Sequence, residues 1–172
     1  MIRSALPFSL AGVLLFAAAA APLRAATPPV QSEAGAIVLK PLSLLKKDDM
    51  DFGILAASMT AGTATLDPVS GAVTTTGGVI ALTGATAPAS FIGAGSRAAP
   101  YQIRLPKNPI VLTRAGGTET MTVSNWTLDG NSTRLINAFE AFEFKVGGRL
   151  AVGANQAPGT YVGTFEVSVQ YP

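Results

Sequence analysis

The chain ends Gly159-Thr160-Tyr161-Val162-Gly163-Thr164-Phe165-Glu166-Val167-Ser168-Val169-Gln170-Tyr171-Pro172. Tyr161, Gly163, Phe165, Val167, Val169 and Tyr171 share one parity. Val162, Thr164, Glu166, Ser168 and Gln170 share the other. Successive side chains of an extended chain point to opposite faces, so one face of this stretch is apolar and the other mostly polar. The alternation predicts a half-buried strand over residues 160–171, the last strand of a sheet packed against a core.

Upstream, short alternating or apolar runs recur about every ten residues, separated by turn residues. Strands are expected over residues 36–45, up to the charged turn Lys46-Lys47-Asp48-Asp49, and over 50–55, 63–66 and 72–76. Asp67-Pro68-Val69-Ser70-Gly71 connects the last two, because Pro presets one turn torsion and Gly accepts positive φ. Further strands are expected over residues 79–83, 89–92, 101–105 and 110–113, with a loop at 93–100 and a turn at Ala115-Gly116-Gly117. Residues 120–128 change parity midway: Met121 and Val123 point inward, then Trp126 and Leu128. A bulge near Ser124-Asn125 repairs the shift. Residues 131–137 are the least regular and suit a short helical turn. Phe142, Phe144 and Val146 restart the alternation. Gly147-Gly148 then reads as a hairpin turn before Leu150 and Val152, since both glycines accept positive φ. No segment keeps a helical period, so the helices that parallel strands need between them are missing. The fold class is all-β, a single antiparallel sandwich.

The other end of the chain sets the compartment. Arg3 precedes an apolar run at residues 6–21, broken by Pro7, Ser9 and Gly12, and small residues follow through Ala25-Ala26. That order is the layout of a cleavable signal peptide. The run is short for a spanning helix, which needs about 20 apolar residues. Residues 1–26 are therefore expected to be a signal peptide, cut between about residues 20 and 26, and residues 27–172 to form one β-sandwich domain. No second apolar run of spanning length follows, so no integral membrane segment is expected after cleavage. The protein is exported, to the periplasm, the outer surface or the medium.

Composition narrows the chemistry. The chain has no Cys and no His. Thiol nucleophiles, the commonest metal ligand and the usual general base are all missing, so Ser-His-Asp and Cys-His triads cannot be built. The net charge of +2 rests on Arg3 and Arg24, in or beside the signal. Without them basic and acidic residues balance, and the basic footprint of nucleic-acid binding is missing.

Few residues offer a site. Asp48, Asp49 and Asp51 lack the ligand spacing of a calcium loop and follow Lys46-Lys47, so they read as a solvated turn, with Asp51 bracing Phe52-Gly53. Glu140 and Glu143 have opposite parities and cannot face one another as glycosidase carboxylates do. Gly93-Ala94-Gly95-Ser96 has neither the Lys nor the helix of a phosphate loop. Asn125-Trp126-Thr127 and Asn131-Ser132-Thr133 match the N-glycosylation pattern, which by itself names no chemistry. Trp126 reads as core. No catalytic residue, cofactor or metal is expected.

Two resemblances sharpen the picture. Gly159 stands fourteenth from the C-terminus and Tyr171 is penultimate. This arrangement resembles the end of chaperone–usher pilus subunits, whose last strand pairs with a periplasmic chaperone by β-augmentation. The disulfide common in those subunits is lacking, and residues 27–35, with two prolines, make a poor donor strand. The resemblance implies a possible assembly strand of Gly159, Tyr161, Gly163, Phe165, Val167, Val169 and Tyr171.

More of the chain is similar to the domain-of-unknown-function 4402 family of exported bacterial proteins. The carrying segments are Pro41-Leu42-Ser43, Asp51-Phe52-Gly53, Gly62-Thr63-Ala64-Thr65-Leu66-Asp67-Pro68, Tyr101-Gln102-Ile103-Arg104-Leu105-Pro106 and Glu119-Thr120-Met121-Thr122-Val123. The closing ones are Val146-Gly147-Gly148-Arg149-Leu150, Val152-Gly153-Ala154-Asn155-Gln156-Ala157-Pro158-Gly159-Thr160-Tyr161 and Gly163-Thr164-Phe165. That family implies a secreted, immunoglobulin-like or pilin-like sandwich with no established activity. The expected function is structural or adhesive, with other copies of the chain or a periplasmic chaperone as partners through strand pairing. The alternative is a ligand- or glycan-binding module.

Overall fold

A computed structural model describes residues 30–172. The expected signal peptide and its boundary with the domain lie outside the described residues. The chain divides into two units, Met1–Ala36 and Ile37–Pro172. The described residues of the first, 30–36, are exposed and form no strand.

The second unit is all-β. Its strands are β1 Ser43–Asp48, β2 Leu55–Leu66, β3 Val73–Ala81, β4 Ala89–Ala94, β5 Pro100–Arg104, β6 Ile110–Arg114, β7 Thr120–Leu128, β8 Thr133–Leu135, β9 Ala141–Val152, β10 Tyr161–Val162 and β11 Ser168–Gln170. Eight form one sheet in the order β1-β4-β9-β7-β6-β10, with β2 also on β9 and β3 on β2. The remaining three form a second sheet, β11-β5-β8. Every pairing is antiparallel.

β9 organises the larger sheet. Residues 141–146 pair with β4 and residues 148–152 with β2, while β7 lies along the other edge. Its even-numbered residues Phe142, Phe144, Val146, Gly148, Leu150 and Val152 are all buried. They feed two cores. Ala89, Phe91, Phe142, Phe144 and Val146 pack with Tyr101, Ile103 and Ile136 from the smaller sheet's side. Leu150 and Val152 pack with Phe52, Ala64, Leu66, Val79 and Val123. Phe91 stacks on Phe144 at a centroid distance of 5.2 Å, and Tyr101 on Phe142 at 4.2 Å. Burying each such aromatic contributes about 1.5–3 kcal/mol.

Several expectations hold. The Asp67–Gly71 connection closes the β2–β3 hairpin, with Asp67 N donating to Ala72 O at 2.9 Å and Gly71 N to Asp67 O at 2.9 Å. β7 has its irregularity between Ser124 and Thr127, and Asn125 takes φ +50°. Gly116 turns the chain after β6 at φ +73°.

Others are corrected. Gly147-Gly148 is not a hairpin, because β9 runs straight through it. A Cβ on Gly147 would overlap the Leu66 carbonyl oxygen and stand 2.9 Å from Pro68 Cδ. The pair is there for close backbone approach, the other use of glycine in a strand. The first strand begins at Ser43, not at residue 36, and the expected charged turn is part of it. β1 has one partner, β4, so Lys46 and Lys47 sit on an edge strand, where charge discourages further pairing.

Residues 50–54 form no strand. Asp51 and Ala87 make a lone bridge with bonds of 2.8 and 3.0 Å. Asp51 Oδ1 accepts from Gly53 N at 2.8 Å, bracing the bend as expected, with Gly53 at φ +73°. Residues 133–135 are strand β8 instead of a helical turn. The last strand is broken: β10 pairs with β6 in the large sheet, β11 with β5 in the small one, and residues 163–167 cross between them outside any ladder.

Candidate functional site

The crossing segment borders a cavity of about 1100 Å³. Leu112, Met121, Val123, Trp126, Leu150 and Val152 form its apolar floor, supplied by β6, β7 and β9. Residues 49–57 make one wall and residues 156–165 the other. A second hollow of about 830 Å³ continues past Lys46, Phe91, Ile110, Thr164 and Phe165 to Leu44 and to residues 166–168. The two form one groove between the stretch that begins at β1 and the stretch that ends at β11. β1 spends its ladder on β4, and residues 163–167 spend theirs on nothing.

The predicted assembly residues do line up along this feature, without forming one strand. Gly159 takes φ +149° beside Arg114, where a Cβ would stand 2.9 Å from Arg114 Cδ. Tyr161 is half-buried in β10, and its hydroxyl donates to Ala157 O at 2.8 Å and accepts from Gln156 Nε2 at 2.7 Å. Gly163 passes tight against Val111 and Leu112 of β6. Phe165 packs on the first core, 4.8 Å from Trp126 and 6.4 Å from Phe91 by ring centroids. Val167 and Val169 pack on the first core. Tyr171 Oη donates to Lys40 O at 2.7 Å and accepts from Ser96 N at 2.9 Å. The odd-parity side chains other than Gly163 are half-buried and the even-parity ones exposed, as the alternation predicts.

Both ends of the segment are pinned. At its start Arg114 holds Glu119 through two bonds of 2.7 and 3.1 Å and reaches Pro158 O at 3.3 Å. The Arg114 hydrogen bond keeps the Glu119 carboxyl below its ordinary range, and the same bond pushes the guanidinium up. At its end Tyr171 ties the last residues to Lys40, ahead of β1. Charge around the groove is confined to a few residues. Lys46 pairs with Asp49 at 2.6 Å, an exposed pair worth little to stability.

The remaining candidates are spent on structure. Asp48 accepts a hydrogen bond from Ser90, the one buried polar side chain described. Glu140 pairs with Lys40 and Glu143 with Lys47, so the two carboxylates serve different ion pairs. Ser96 Oγ accepts from Lys40 N at 2.6 Å. Burial pushes the Tyr101 phenol up, as an aromatic sealed in the first core requires. Trp126 touches both cores and donates to Asn108 O at 3.4 Å.

Sequence reasoning missed the groove floor and one exposed segment. Ile37 and Val38 are 91% and 92% exposed, and Leu39 is exposed as well. The signal was available: residues 34–39 are apolar or Gly on both parities, the mark of a strand enclosed on both faces.

The second unit defines an all-β domain with an apolar-lined cavity between residues 49–57 and 156–165. Within that class the chain belongs to the family described as domain of unknown function DUF4402, whose model matches residues 42–171. No curated protein and no solved structure matches it.

Proposed function

We propose that this protein is an exported, pilin-like structural or adhesive subunit. In this reading the two packed sheets form an immunoglobulin-like sandwich, and the open groove takes an extended strand from another chain, either a second copy or a periplasmic chaperone. The groove is the observation that carries it. A hollow of about 1100 Å³ with an apolar lining is room that an added strand would fill. Its walls include residues 52–54 and 163–165, which lie in no ladder and so offer main-chain hydrogen bonds to an added strand. The pinned C-terminal segment keeps that edge extended.

The test is the state of the exported protein, read by size-exclusion chromatography and electron microscopy. Subunits that polymerise, or that form a stable complex with a chaperone, support the reading. A stable monomer that makes no fibres with or without a chaperone sinks it.

A second reading draws on the same volume. A cavity of about 1100 Å³ also suits an apolar ligand or a glycan with an apolar face, and pockets of roughly 300–1,000 Å³ hold such molecules. A ligand module stays monomeric and gains thermal stability from the small molecule alone.

A further inference from the structure

Two edge strands of the large sheet are blunted and the third is not. β1 carries Lys46, Lys47 and Asp48, and β10 is two residues long. β3 has a single partner, β2, and runs for nine residues without a charge or a proline. Its surroundings in the chain are uncharged as well: residues 52–66 and 68–96 hold no Asp, Glu, Lys or Arg. An unguarded edge of this length offers a row of main-chain donors and acceptors to another strand. Its far end also offers apolar side chains. Ile80 is 62% exposed and Leu82 51%, and residues two apart in an extended chain share a face. Ala81 between them is exposed, and so is Ile54.

We infer that β3 pairs antiparallel with β3 of a second copy, about a two-fold axis at Ala81. The main chain sets that register. One bond beyond the β2–β3 ladder, Leu82 N donates to Ile54 O at 2.8 Å. Hydrogen-bonded positions alternate along an antiparallel ladder. Leu82 and Ile80 therefore turn their main-chain groups toward β2, and Ala81 turns its N–H and C=O to the open side. Across the axis Ala81 exchanges both bonds with the partner's Ala81. Ile80 then faces the partner's Leu82, and Leu82 the partner's Ile80. These are non-hydrogen-bonded pairs, about 4.5 Å apart at Cα, where side chains approach most closely.

The partner is a second copy because this edge is its own complement. Ile80-Ala81-Leu82 reads large apolar, small, large apolar in both directions, as a two-fold contact requires. With no charge on β3 or in the residues beside it, a copy meets no like charge, and the edge has nothing to select a charged partner. The contact is separate from the cavity: Ile80 and Leu82 are absent from its lining. It also closes on itself, so it yields a dimer, not a fibre.

Cysteine cross-linking reads the register directly, since the chain has no Cys. One preparation of the protein carries Ile80→Cys and another carries Leu82→Cys. They are mixed under mild oxidation and run without reductant. A disulfide dimer is expected in the mixture, roughly tenfold above either preparation alone. Analytical ultracentrifugation gives the second readout. The parent protein should show a concentration-dependent dimer. Ile80→Lys should weaken it roughly tenfold or more and leave the melting temperature at low concentration unchanged, because the side chain is exposed in the monomer. Ile80→Val should keep the dimer. Equal cross-linking in each single preparation marks chance collision of exposed thiols and overturns the inference. So does a parent protein that stays monomeric at every concentration, or a dimer indifferent to Ile80→Lys. Each of these leaves the groove reading standing, since fibres or a chaperone complex would form without Ile80.

Discussion

Asp67 closes the β2–β3 hairpin through one carboxylate oxygen. Oδ1 accepts from Ser70 N at 2.7 Å, from Ser70 Oγ at 2.9 Å and from Val69 N at 2.9 Å. The Ser70 amide, then its hydroxyl, then the Val69 amide favour the charged form and hold the carboxyl below the ordinary range. Glu119 is held down in the same sense by Arg114. A carboxylate whose folded pKa is depressed stabilises the fold above its unfolded pKa, about 4, and loses that contribution as pH falls through the folded value. The melting temperature should therefore drop between pH 4 and pH 2. Asp67→Asn keeps an acceptor oxygen and removes the titration. It should melt lower than the parent at pH 7 and show a smaller acid-induced drop, with Glu119 supplying the rest. Thermal melts by circular dichroism at pH 7, 4 and 2.5 check this. An unchanged acid drop in the variant would refute the assignment.

β9 gives the matching test for a whole strand. Its centre is the point where β2 and the Pro68 turn come closest, so Gly147→Ala places a methyl group against backbone that cannot move alone. The expected cost is about 3 kcal/mol, the upper end for overpacking. Gly116→Ala meets nothing within 4 Å and suffers only from its φ of +73°, a cost of about 1 kcal/mol. Urea denaturation of both variants checks the order, and equal losses would mean the strand does not pass through tightly. The same pair of glycines shows what was legible in the sequence. Alternation at Phe142, Phe144, Val146, Leu150 and Val152 stays in phase across Gly147-Gly148, which was the clue to one long strand. The local hairpin signal outweighed it, because a glycine in sequence looks the same whether it serves a turn or a close approach. The Asn125 bulge was readable for the opposite reason: parity changes there, and nothing but an extra residue explains it. The break at residues 163–167 left no trace in the alternation, since a strand that switches sheets keeps its inward parity. The cavity lining was equally silent, because Val123, Leu150 and Val152 read as core in the sequence and are core in the fold, and nothing in composition marks which core residues border a hollow.

At the scale of the molecule, the C-terminal segment is the one stretch that belongs to both sheets. It contributes β10 to the larger, β11 to the smaller, and Phe165 to the first core beside Phe91 and Trp126. Removing residues 161–172 leaves Phe91, Trp126 and Ile103 uncovered together, and several half-buried side chains at roughly 1–2 kcal/mol each exceed the 5–15 kcal/mol that holds a typical domain together. The truncated chain should show no cooperative urea transition. Tyr171→Phe isolates the last contact from the rest. The ring still packs on the first core, and the lost hydroxyl costs about 1 kcal/mol, since it leaves the Lys40 carbonyl and the Ser96 amide to water. The molecule stays folded while the anchor between the chain's last residues and the stretch ahead of β1 is cut. Hydrogen exchange should then quicken at Lys40 and Ser96 and stay unchanged at Phe144, in the centre of the sheet. Exchange that quickens equally at all three would mean that Tyr171 supports the whole core and holds no local anchor.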